Sequence, residues 1–157
     1  MGRPTSFFYD SPQNCSSKNC AQEVLAIGTP ILWWLGVIAI AVAFGFWFRS
    51  VATRNFDTVL NIVILGISAG YLPWFFIQQR TMFTFYAVIF EPFMLLAIIY
   101  CAKLLLDSSL KQEYSKAFVI GIMVLIFLNF IYFLPLFTGE IINYSEWIKM
   151  MWLTSWI

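Results

Sequence analysis

Chemistry-bearing side chains are scarce in this 157-residue chain, which has no histidine, eight carboxylates and nine Lys or Arg. The most suggestive is Arg80, in "QQRTMFTFY" (78–86), set between the greasy runs "YLPWFFI" and "AVIFEPFMLLAIIY". A guanidinium fork at the edge of hydrocarbon matches phosphate oxygens bidentately. Gln78 and Gln79 add neutral donors beside it, and Arg3 falls on the same predicted side, so a lipid head group is a candidate ligand. The competing role for Arg80 is a snorkelling anchor. Glu91, next to Pro92, is deeper. An ionised carboxylate there must face protein or water, or else patch the backbone donor missing at the proline. Tyr86, Glu91 and Glu140 are the candidates for contact with a polar substrate. Nothing in the spacing makes two carboxylates a catalytic pair, and no nucleophile–base arrangement or phosphate-cradling glycine loop is present.

Composition decides where these groups operate. The chain is 61% hydrophobic and only 11% charged, against roughly 25% charged for a soluble domain. Too few polar side chains remain to cover a water-facing surface, so this is an integral membrane protein. A net charge of +1 without a basic run gives no case for nucleic acid. With three cysteines and no histidine, no metal site is expected in this chain. The N-terminal "MGRPTSFFYDSPQNCSSKNC" is polar, has no apolar stretch behind Arg3, and matches neither a signal peptide nor a good myristoylation pattern.

A spanning helix needs about 20 mostly apolar residues, and four segments qualify. They are 30–48, opened by Pro30 after Thr29; 59–77, with Gly66, Ser68, Ala69 and Gly70 for close helix contact and a kink at Pro73; 83–106; and 117–134, closed by Pro135. Asn61 and Asn129 suit interhelical hydrogen bonds, and Cys101 a small buried position. The loops bearing Arg49, Arg54, Lys103, Lys111 and Lys116 are assigned to the cytoplasm. Residues 1–28, the "IQQRTM" connection and the tail 136–157 are then outside. There Cys15 and Cys20 suit a small-loop disulfide, two free thiols being the alternative. The tail, rich in Tyr144, Trp147, Trp152 and Trp156, reads as an interfacial amphipathic helix whose aromatics form a belt.

Four stretches occur in a fixed order: "GRPTSFFYDSP", "CAQEVLAIGTPILWW", "GYLPWFFIQQRTMFTFYAVIFEPF" and "FLPLFTGEIINYSEWIKMMWLTSWI". Over nearly the whole chain this resembles the C-terminal four-helix region of bacterial, especially actinobacterial, protein O-mannosyltransferases. The resemblance implies an all-α integral membrane fold, four transmembrane helices plus an interfacial C-terminal helix. These form the C-terminal part of a C-type glycosyltransferase. It implies inverting transfer of mannose from polyprenyl- or dolichyl-phosphate-mannose to Ser or Thr of secreted proteins, on the outer face of the plasma membrane.

The family's catalytic acidic pair lies in the first external loop of the full-length enzyme. This chain has no match to it, and begins at a methionine after more than half of the enzyme. Catalytic carboxylates are therefore expected from the N-terminal half, which becomes a required partner. Arg80, Arg3 and Gln79 are the expected donor-phosphate ligands here. No cofactor is expected in this chain, while the full enzyme leaves room for a divalent metal. Eukaryotic relatives carry histidines where Phe83, Thr84 and Phe85 stand, so no role transfers from those. A non-catalytic membrane interaction subunit is the alternative reading; a small channel lacks the polar lining it would need.

Overall fold

Long apolar runs without an internal breaker have to satisfy their backbone polar groups locally, which in a bilayer means helix. A computed structural model describes residues 5–10, 19–76, 84–108, 112–153 and 156. Its order is β1 (Thr5–Asp10), β2 (Cys20–Ala26), α1 (Pro30–Ala52), α2 (Thr58–Tyr71), α3 (Pro73–Phe76), a 3-10 helix (Thr84–Ile89), α4 (Glu91–Leu106), α5 (Gln112–Thr138), β3 (Ile141–Asn143) and α6 (Tyr144–Met150). Among the described residues three helices are long and apolar enough to cross a membrane. They are Pro30–Ala52, Thr58–Phe76 and Gln112–Thr138, with mean hydropathy 2.2, 1.8 and 2.6.

The chain divides into two compact units. The second unit, residues 30–82 and 86–126, holds α1 to α4 and the first half of α5. Its core is built where small residues let helices close up. A Cβ on Gly66 would fall 2.2 Å from the Phe93 ring, and one on Gly70 would fall 2.9 Å from Phe90 Cβ. These glycines therefore seat the start of α4 against the end of α2, as their spacing predicts. Leu60, Val63, Ile64 and Ile67 of α2 pack with Ala39 and Ala43 of α1 and Ala97 of α4. Polar ties then fix the register. Trp47 Nε1 donates to Asn61 Oδ1 at 3.0 Å, the interhelical role expected of Asn61. Asp57 caps α2, its Oδ1 accepting from Val59 N (2.8 Å) and Leu60 N (3.3 Å). Its Oδ2 accepts from the Tyr100 hydroxyl at 3.3 Å. Cys101 is partly exposed and its Sγ–H points to Ala39 O at 3.7 Å, so it serves α1–α4 packing.

Element limits differ from the sequence expectation for physical reasons. The second span stops being α-helical at Leu72 because Pro73 follows, where the expected kink lies. The third segment is a 3-10 turn followed by α4, and α4 starts only at Glu91, with Pro92 in its first turn. There the missing N–H would have had no helical partner anyway. Glu91 consequently has no mid-helix break to patch; its carboxylate sits where the helix dipole favours it. The fourth helix runs through Pro135 to Thr138 rather than ending before it.

The first unit, residues 1–29, 83–85 and 127–157, contains an antiparallel sheet ordered β1-β2-β3. The segment 1–28, expected as a loop, contributes two of its strands. The tail contributes the third, pairing Cys20 with Asn143 and Gln22 with Ile141. Helical membrane architecture stands, with this sheet added. Ala21, Leu25 and Ile27 alternate inward and meet Phe133, Leu136, Trp147, Met150 and Trp156. Two of the tail aromatics expected at the interface, Trp147 and Trp156, are therefore core residues; Tyr144 and Trp152 stay exposed. Gly139 makes the turn from α5 into β3 at φ 69°, where a Cβ would also press on Val24.

Candidate functional site

Three of the four residues expected to meet a donor phosphate or close a disulfide, Arg3, Gln79 and Arg80, lie outside the described residues, as does Cys15. Cys20 is buried and disulfide-bonded, and Cys101 is the free thiol among the described residues. The Tyr86 backbone belongs to the 3-10 helix, with its side chain outside the described residues. Glu91 is half-buried at the start of α4 in the second unit. Glu140 is exposed in the first unit, and its N–H donates to Pro135 O at 3.0 Å. These two carboxylates fall in separate units, so they form no pair within either one. Among the described residues no three His, Cys, Asp or Glu gather as a metal site.

What the second unit does build is a groove of about 380 Å³ between α1, α2 and the start of α4. Trp33, Val37, Ile40 and Phe44 come from α1, Ile67, Ser68 and Tyr71 from α2, and Phe90 and Met94 from the head of α4. The i, i+4, i+7, i+11 spacing on α1 puts its four members on one face. Aromatic edges shape the upper part. Phe90 meets Trp33 edge-on at 6.2 Å and Tyr71 at 5.7 Å. The Trp74 indole is held by donating to Gly70 O at 3.0 Å. Ser68 and the rims of Trp33 and Tyr71 are the polar features of a wall that is otherwise hydrocarbon. Such a groove takes an apolar chain, and offers stiff aromatic contacts rather than hydrogen bonds. The groove lies where α2 ends and α4 begins, the two ends joined through residues 77–83, the sequence stretch that carries Arg80.

The first unit holds a group that sequence reasoning missed. Glu23 is 1% exposed, and its Oε2 accepts from Trp147 Nε1 at 2.7 Å. The Trp147 ring in turn stacks on Tyr144 at 5.4 Å and leans on Tyr9 at 6.2 Å. A signal was there: Ala21, Glu23, Leu25 and Ile27 share one parity, so reading the segment as a strand puts Glu23 inward.

Comparison with known proteins decides the family. Residues 1–156 match the family described as the C-terminal four TMM region of protein-O-mannosyltransferase. The chain belongs to this family. Polyprenol-phosphate-mannose–protein mannosyltransferases of Mycolicibacterium smegmatis and Mycobacterium tuberculosis are each 31% identical over 98% of the chain. That of Corynebacterium glutamicum is 30% identical over 99%. The chain spans about 30% of the length of these mannosyltransferases. Among solved structures, the S. cerevisiae protein O-mannosyltransferase Pmt1-Pmt2 complex bound to the sugar donor superposes with a TM-score of 0.72 at 22% identity. That match covers 87% of this chain and 20% of the yeast one, and at this identity it supports the fold. The expected resemblance and the helical membrane fold are thus shown.

Proposed function

We propose that this chain is the donor-binding part of a protein O-mannosyltransferase. The enzyme would move mannose from a polyprenyl-phosphate carrier to Ser or Thr hydroxyls of secreted proteins at the outer face of the plasma membrane. The observation that carries the reading is the aromatic groove between α1, α2 and α4, at the helix ends joined through the Arg80 stretch. A polyprenyl chain needs a hydrocarbon channel, and its phosphate needs cations at the channel mouth. Arg80, with Gln79 and Arg3, would take that phosphate. In an inverting transfer the departing lipid phosphate must be stabilised while a base takes the acceptor proton. The first task falls to this chain and the second to carboxylates of the N-terminal half. Glu91, at the head of α4, and Tyr86 are placed by sequence beside the same stretch, for contact with the sugar or acceptor. Any divalent metal would belong to the complete enzyme, bound with help from the N-terminal half.

The test uses the complete enzyme in membranes, with donor binding and mannosyl transfer measured separately. Arg80→Ala should weaken donor binding about tenfold or more, as expected for losing a charge-assisted contact of at least 1.4 kcal/mol. Ser68→Trp, which plugs the groove without touching a charge, should weaken lipid-linked donors and spare a short-chain analogue. Normal binding and turnover in both variants would remove this groove from the donor path.

A further inference from the structure

The opposite face of α1 walls a second apolar space. The groove uses Trp33, Val37, Ile40 and Phe44, whereas this slot uses Leu35, Ile38, Val42 and Phe46. Steps of about 100° per residue put the two sets on opposite sides of the helix. Cys101 and Leu105 of α4 and Phe118 and Ile122 of α5 are among its remaining walls, and its volume is about 570 Å³. All of these belong to the second unit. Slot and groove therefore share helices but not side chains.

Shape decides what fits. From Leu35 to Phe46 are eleven helical rises, about 16 Å, so the mean cross-section is about 35 Å² (570 Å³ over that length). A helix at least 10 Å across needs about 80 Å². A polymethylene chain, with carbon contacts near 4 Å, needs on the order of 20 Å². The slot admits a hydrocarbon chain and refuses a helix. Left empty, it would stay dry, since an apolar cavity of even 150 Å³ excludes water and takes benzene instead. Its walls would then forfeit dispersion contacts. Entry is from the side: Phe118 and Met123, both on the wall, are 58% and 64% exposed. What surrounds them at this depth is the bilayer.

We infer that this slot is a structural lipid site, holding one acyl chain of a membrane phospholipid between α1, α4 and the first half of α5. Within a bilayer no hydrophobic gain drives helices together, so packing has to hold them. A seated chain supplies contacts that α5 lacks from protein here, where its Ile120, Val124 and Leu125 are also exposed.

The experiment reconstitutes the complete enzyme in phospholipid vesicles doped with a phospholipid carrying a diazirine at mid-chain. After photolysis, adducts are mapped by mass spectrometry. Adducts on Cys101 and Ile122 should exceed those on Ile99, an exposed neighbour on α4, by about tenfold. Ala102→Trp, filling the slot from α4, should bring them down to the Ile99 level while Ile99 labelling is unchanged. Val42→Phe does the same from α1 and guards against misfolding of the first variant. Equal labelling of slot and Ile99 in the parent protein overturns the inference, as does persistence of the excess in both variants. Displacement of the label by a few mole per cent of polyprenyl phosphate would also overturn it, by making the occupant an isoprenoid.

Discussion

Replacing Glu23 by alanine tests whether the first unit hangs on a buried carboxylate. Glu23 is 1% exposed, Trp147 is 3% exposed, and Nε1 donates to Oε2 across 2.7 Å. A hydrogen bond to a charged group contributes about 1.5–3 kcal/mol. In Glu23→Ala the indole N–H stays buried with its acceptor gone, and a void opens beneath the sheet. Together these put the loss at about 3 kcal/mol, or a Tm lower by roughly 6–12 °C for a chain of this size. Glu23→Gln keeps a carbonyl acceptor of the same shape and should cost less than about 1 kcal/mol. Thermal unfolding in detergent, followed by near-ultraviolet circular dichroism of the tryptophans, reads both. A double-mutant cycle with Trp147→Phe isolates the contact, with a coupling of about 1.5–3 kcal/mol expected. A Tm within about 1 °C of the parent for Glu23→Ala, or a coupling near zero, would show that the pair does not hold β2 to α6.

Two further outcomes belong to the second unit. Gly66→Leu drives a side chain into the Phe93 ring, 2.2 Å from where even a Cβ would stand. Overpacking of this kind costs about 1–3 kcal/mol; a melt in detergent should drop accordingly, and Phe93→Ala should restore part of it. Asp57→Ala removes the α2 cap and the acceptor of the Tyr100 hydroxyl. A cap is worth about 1 kcal/mol, so Asp57→Asn should retain most of the stability and Asp57→Ala should not, in the same melt.

The membrane class was legible because a spanning helix is a local property: length and apolar content suffice, and 30–52, 58–76 and 112–138 display both. Gly66 and Gly70 were legible for a similar reason, since a lipid-embedded helix carries small residues where another helix must come close. Pro92 misled. A proline inside an apolar run looks like a mid-helix break, yet the same residue is welcome in a first turn, and only knowing where the helix starts separates the two. The tail aromatics misled too, because belt and core ask for the same side chains.

By itself, then, the sequence determined that the chain lives in a membrane, roughly where it crosses, and which enzyme family it resembles. Tertiary structure alone decided three things. It joined β2 to β3 across more than a hundred residues, set Glu23 against Trp147, and carved a groove and a slot on opposite faces of α1. The physical reason is common to all three. Helices apolar on every side have no inward face written in their period. Short strands far apart in sequence announce no partner. Which faces meet is settled by the fit of glycines, rings and one buried carboxylate, which exists only once the chain has closed on itself.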